Sequence, residues 1–171
     1  SLSTIVPEMG FSVINFILSP NYAVTDAAFN EGKACHRLNE KLEEQGIHVI
    51  RWVGEDFSCW SSNIPLRKLE DFDGLKIRVY PSSQVIENYR IIKANPTPIP
   101  FAEVYSALQL NVAQAQENPI PVIYSNKFYE VQKYVTISNH TMSTNLFSAG
   151  KWFWDTLVKE DQDKIKSAVN E

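Results

Sequence analysis

Arg78 is the side chain in this sequence best placed to hold an anion. It lies in "GLKIRVYPSS" (74–83), where Leu75, Ile77 and Val79 alternate with Lys76, Arg78 and Tyr80. That period of two is the mark of a half-buried strand, with Arg78 on its polar side near the proline that ends it. A guanidinium fork meets a carboxylate through two parallel hydrogen bonds. Two further segments carry groups suited to the same task. Phe101 follows "PTPIP" as a candidate aromatic wall, and Gln116, Glu117 and Asn118 precede Pro119, with an amide able to satisfy the remaining carboxylate lone pairs. If the three strands are parallel neighbours, their carboxyl ends open on one crevice, where ligands of open α/β sheets sit. Each residue also has an ordinary reading. A strand arginine is usually solvated, a phenylalanine after prolines is usually core, and Glu-Asn-Pro is a common turn. Composition and spacing leave both readings open.

Catalysis has less support. The histidines are His36, His48 and His140, and His36 adjoins Cys35 on a predicted helix, where neighbouring residues point apart. The sequence contains no G-x-S-x-G elbow, P-loop, G-x-G-x-x-G or H-E-x-x-H. The expectation is therefore a non-enzyme with no cofactor and no metal. Cys35 and Cys59 have no metal-ligand spacing and imply no disulfide framework, although one bridge between them stays open.

The 171 residues are 44% hydrophobic with a net charge of −4, an ordinary globular composition that disfavours a nucleic-acid partner. "FSVINFIL" (11–18) is too short to span a bilayer and has no basic residue ahead of it, so it reads neither as a membrane span nor as a leader.

These side chains need elements to position them. Residues 25–45 read as helix, broken near Gly32, with Thr25 as N-cap and Gly46 as stop. "IHVIRWV" (47–53) reads as a buried strand, and "GEDFSCWSSNIPLRKLEDFDG" as a polar connection ending in a short helix. After the Arg78 strand, Ser82 or Ser83 caps a helix bearing Val85, Ile86, Tyr89 and Ile92. "NPTPIP" (95–100), with three prolines, reads as an edge strand or extended connection. A helix near 102–110 carries Val104, Ala107 and Leu108 on one face. "AQAQENPIP" reads as a short strand and a turn, and 134–148 as a long strand that bends or passes between sheets. The end is helical and breaks off in mid-pattern at Glu171, as part of a longer protein would. Strands alternating with helices make the fold class α/β.

Five segments, three of them strongly, resemble a known family. "GLKIRV", "ANPTPIPFAEVYSALQLNVAQAQENPI", "KFYEVQKYVTISNH" and, more weakly, "LEEQGIHVI" and "FWDTLVKEDQDKIKSA" are similar to the solute-binding proteins of tripartite ATP-independent periplasmic (TRAP) transporters. The motifs cover about residues 70–142 in register. The resemblance implies a periplasmic protein whose two α/β lobes close on a small organic acid like a hinged clamp, incomplete in this chain, and hand it to TRAP permease subunits. It implies that residues 1–55 and 144–171 form part of lobe I and 56–143 form lobe II. It implies Arg78 as carboxylate anchor, Asn118 as second carboxylate contact, Phe101 as wall, His140 (preceded by Asn139) near the site, and Glu117 as a buried partner of the site's cations.

Two departures stand out. Ser58 occupies the position where members of that family often carry a second arginine, and "AQA" (113–115) replaces the usual V-D-G. Both are expected to retune or weaken acid binding. The competing expectation is that the same clamp presents its ligand to a membrane sensor or chemoreceptor.

Overall fold

The computed structural model describes residues 2–170. A side chain caps the first α-helix, whereas Ser82 stands at the start of the helix Ser83–Ile91 without a side-chain capping hydrogen bond. Helix α1 (Tyr22–Glu31) is capped by Asn21, whose side chain accepts from the amides of Ala23 at 3.0 Å and Val24 at 3.4 Å. Thr25, the expected cap, is instead buried within the helix, and its hydroxyl donates to the Ser19 carbonyl at 3.0 Å. Gly32 separates α1 from α2 (Lys33–Glu44), and a side chain there would press on the Ala28 carbonyl. Gly46, at φ +77°, then turns the chain into strand β1, a conformation that favours glycine.

Strand β1 (Ile47–Ser62) is the main departure from the sequence reading. It continues through "GEDFSCWSS", where a polar connection was expected. Ser58–Ser62 hydrogen-bond to two other strands, and partners distant in sequence hold a segment extended that its own composition does not mark as strand. The order continues as β2 (Lys76–Val79), α3 (Ser83–Ile91), β3 (Asn95–Pro98), α4 (Val104–Gln109), β4 (Ala115–Pro119), α5 (Ile120–Ser125), β5 (Tyr134–Thr136), β6 (Met142–Gly150), α6 (Lys151–Trp154) and α7 (Lys159–Asn170). A helix, not a turn alone, follows β4. The long run 134–148 is two strands, and the link between them carries His140. The helical pattern's end at Glu171 lies outside the described residues.

The chain forms two compact units. The first comprises Ser1–Phe11, Ser19–Glu55 and Thr144–Glu171, the second Ser12–Leu18 and Asp56–Ser143. Residues 12–18, assigned from sequence to lobe I with the rest of 1–55, belong to the second unit. Their backbone explains it: the Val13 carbonyl accepts from the Asn88 side chain at 2.7 Å, the Ser12 carbonyl from the Thr141 hydroxyl at 3.3 Å, and the Phe16 amide donates to the His140 carbonyl at 2.5 Å.

In the first unit Phe29 and Trp52 stack at 5.2 Å between ring centroids, and the Trp52 indole donates to Asn39 at 2.9 Å. Cys35 in this unit and Cys59 in the second are both buried and free.

The second unit is built on a sheet of strand order β3-β2-β4-β1-β5. Strands β3, β2 and β4 are parallel, and β1 runs antiparallel to β4 and β5. The proline-bearing β3 takes the edge, where a missing amide is tolerated. One side of this sheet packs Ile77, Val79 and Ala115 against Val85 and Tyr89 of α3. A second cluster of Ile99, Val104, Leu108, Ile123 and Phe128 gathers residues of α4 and α5.

Ile77 is wholly buried whereas Ile91 on α3 is 73% exposed. Ile77→Ala is therefore expected to destabilise the full-length protein by about 2–5 kcal/mol, and Ile91→Ala by no more than about 0.5 kcal/mol. Urea denaturation midpoints check both; similar losses would contradict this account of the core.

Candidate functional site

Register decides which side chains meet. Arg78 on β2 is the parallel partner of Gln116 on β4 and of Thr97 on β3. Gln116 in turn faces Ser61 on β1, and Asn118 faces Cys59. Partners point to the same side and alternate residues to opposite sides, so Arg78, Gln116, Asn118, Ser61 and Cys59 share one face. Glu117, Trp60 and Ser58 share the other.

On the first face Arg78 is only 3% exposed, so the strand is buried on both sides at this point and the solvated reading does not hold. Its Nε donates to the Ile99 carbonyl at 2.9 Å, just past the end of β3. Its guanidinium carbon lies 5.9 Å from the centroid of the Phe101 ring. Among the described residues no carboxylate pairs with it. Burial pushes the guanidinium below its ordinary pKa, and the Glu117 charge across the sheet partly offsets this. Arginine stays cationic even so. The result is an immobilised buried cation, with one nitrogen tied to a carbonyl and its charge not met by an anion.

Phe101 is 46% exposed, which suits a wall better than a core residue. Its ring packs edge-on to Phe128 at 6.3 Å. It also borders a hollow of about 530 Å³ whose lining includes Tyr105, Asn126, Lys127, Phe128 and Glu130. Neither Arg78 nor Asn118 lines that hollow. Asn118 is half-buried on strand β4 and donates from Nδ2 to Gln116 Oε1. Parallel pairing of β3, β2 and β4 thus brings Arg78 and Asn118 to one face, with Phe101 beside Arg78.

Glu117 and His140 meet on the opposite face. His140, 1% exposed, has Nε2 at 2.9 Å from Glu117 Oε2 and Nδ1 at 2.7 Å from the Ser138 hydroxyl. The same Glu117 oxygen accepts from the Tyr89 hydroxyl, which accepts from the Trp60 indole at 2.7 Å. Trp60 stacks on the His140 ring at 4.1 Å. Sequence reasoning named Glu117 and His140 but missed Tyr89 and Trp60, which looked like core residues. Nothing in their spacing signals the polar link. Ser58 is buried on this face, with its amide donating to the Thr141 carbonyl at 2.8 Å. Among the described residues no group of His, Cys, Asp and Glu could hold a metal ion.

Residues 1–171 match the sequence model of the family described as bacterial extracellular solute-binding protein, family 7. The ectoine/5-hydroxyectoine-binding periplasmic protein UehA of Ruegeria pomeroyi is 33% identical over 97% of this chain and 49% of its own length. The sialic acid-binding periplasmic protein SiaP of Vibrio cholerae is 42% identical over 64% of the chain and 34% of its own length. The crystal structure of the sugar acid binding protein DctPAm of Advenella mimigardefordensis, in complex with galactonate, superposes with a TM-score of 0.88 at 30% identity, covering 99% of this chain and 54% of the other. The chain spans about half the length of the curated relatives it matches at full coverage.

Burial and the neighbouring Glu117 push the Tyr89 hydroxyl well above its ordinary pKa of 10.0. A raised folded-state value means that its contribution is complete below pH 10 and is lost as pH rises toward the folded value. Stability should therefore fall above about pH 10 by up to about 1.4 kcal/mol per pH unit from this group. Tyr89→Phe should remove that component while costing about 1–3 kcal/mol at pH 7. Urea titrations from pH 7 to 11 measure both; parallel alkaline slopes would rule out the assignment.

Proposed function

Because the chain belongs to the bacterial extracellular solute-binding protein family 7, whose named relatives are periplasmic binding proteins, we propose that it serves to capture a small organic carboxylate, with Arg78 as the anchor. The family is one of solute-binding proteins, and its members act by non-covalent capture, not turnover. The protein works in the periplasm.

One observation carries the carboxylate reading: a guanidinium 3% exposed, immobilised by the Ile99 carbonyl and the Phe101 ring, with no carboxylate partner among the described residues. A buried cation without an anion is costly, and an arriving carboxylate removes that cost. Its two oxygens fit the two terminal nitrogens of the fork, while Asn118 supplies an amide on the same face and Phe101 a flat apolar side. Ectoine, sialic acid and galactonate, named for the relatives above, all carry a carboxyl group, which favours the same anchor here. In the whole protein, closure of a second lobe would exclude water and strengthen the ion pair. The loaded protein would then deliver its acid to TRAP permease subunits.

Arg78→Ala should weaken acid binding by the full-length protein at least about tenfold, since removing one member of a desolvated charge pair costs about 2–5 kcal/mol. Arg78→Lys should recover little, because an ammonium is a point charge and not a fork. Calorimetry with the small organic acids that raise the protein's melting temperature is the measurement. Unchanged affinity in Arg78→Ala would refute the anchor.

A further inference from the structure

Behind Asn118 runs a chain of hydrogen bonds whose direction is fixed. Asn118 Nδ2 donates to Gln116 Oε1, and Gln116 Nε2 donates to the Ser61 hydroxyl at 2.7 Å. That hydroxyl donates to Gln132 Oε1 at 3.4 Å, and Gln132 Nε2 donates to the Val131 backbone carbonyl at 3.2 Å. Gln116 and Ser61 are wholly buried and Gln132 is 7% exposed, so no water competes along the chain. Amide orientation is otherwise ambiguous, but a backbone carbonyl can only accept. Turning Gln132 over would set oxygen against oxygen. The carbonyl of Val131 therefore dictates the sense of each bond back to the surface.

The consequence falls on Asn118. Its NH₂ end is held to the sheet, and its Oδ1, which has no hydrogen-bond partner among the described residues, is an acceptor left free on the face that carries Arg78. We propose that Ser61 and Gln132 are specificity-determining positioning residues: they lock Asn118 with its carbonyl oxygen presented beside the anchor, so that the site selects acids bearing a hydroxyl or N–H on the atom next to the carboxylate. This rests on the reading of Arg78 as anchor. The guanidinium holds the carboxylate, and the neighbouring donor of the ligand satisfies Asn118 Oδ1. An acid without that donor desolvates the oxygen and leaves it unpaired, which a polar site penalises heavily.

The test uses full-length protein, calorimetry and matched pairs: galactonate with 2-deoxygalactonate, and lactate with propionate. The hydroxy acid of a pair should bind about tenfold more tightly. Ser61→Ala frees the Gln116 and Asn118 amides to turn, and the preference should shrink to about twofold or less; Ser61→Thr, which keeps the hydroxyl, should restore it. Gln132→Met, which removes the acceptor of the Ser61 hydroxyl, gives a second break in the chain should Ser61→Ala fail to fold. A merely structural role would lower both affinities of a pair together and leave their ratio unchanged, and that result overturns the proposal. So does equal binding within pairs by the unaltered protein, or no binding of either hydroxy acid. Arg78→Ala separates the two readings: equal binding that collapses in this variant sinks the polarity proposal and keeps the anchor, whereas binding indifferent to it sinks the anchor.

Discussion

A cation buried without an anion is the constraint around which the second unit is organised. Taking a guanidinium out of water costs several kcal/mol after relaxation, and most proteins meet that cost with a carboxylate in contact. Here the contacts of Arg78 are a backbone carbonyl and an aromatic ring, which fix its direction without neutralising it. Some help comes from Glu117, whose charge acts across the sheet and whose hydrogen bonds run to Tyr89 and His140. A carboxylate in direct contact would stabilise the unliganded protein and block the fork. Placing it on the other side of β4 tempers the cation without taking up a guanidinium nitrogen.

The alternation of β4 makes this division possible. Gln116 and Asn118 face Arg78, while Ala115 and Glu117 face α3. Within five residues the strand supplies the Asn118 amide, the buried Gln116 to which it donates, and the Glu117 acid on the opposite face. The parallel order β3-β2-β4 then places Phe101, Arg78 and Asn118 at or just past the carboxyl ends of three adjacent strands. Proline in β3 is compatible with this because β3 has a partner on one side only.

Much of this could be read from the sequence, and the limits were physical. Alternation in "GLKIRV" identified the strand, and the prolines identified the edge. The burial of Arg78 could not be read, because period-two patterning reports which residues are apolar and not whether a second layer covers the polar side. The length of β1 was hidden for a related reason: "EDFSCWSS" has weak strand propensity and is held extended by β4 and β5, which lie far away in sequence. Residues 12–18 were misassigned because their attachment to the second unit runs through backbone carbonyls and an amide that any residue type would offer. Residue types and strand ends grouped Arg78, Phe101 and Asn118, but only the resemblance chose their ligand-binding roles over solvated or core ones.

Register also bears on the two departures from the family pattern. In "AQA", Ala113 and Ala115 are wholly buried, one in the cluster beneath α4 and the other against α3, and the Gln114 side chain accepts from the Lys76 amide at 3.3 Å. Both alanines pack in cores and the glutamine braces β2, so the role of this stretch is to place the strand. Ser58 lies on the face of Glu117, not that of Arg78. A serine there brings no charge to Glu117, whose hydrogen bonds come instead from Tyr89 and His140, with the stacked Trp60 closing the group. The substitution thus bears first on how the acid behind β4 is satisfied. Toward the Arg78 face its effect runs through the Glu117 charge, which acts on the guanidinium across the sheet.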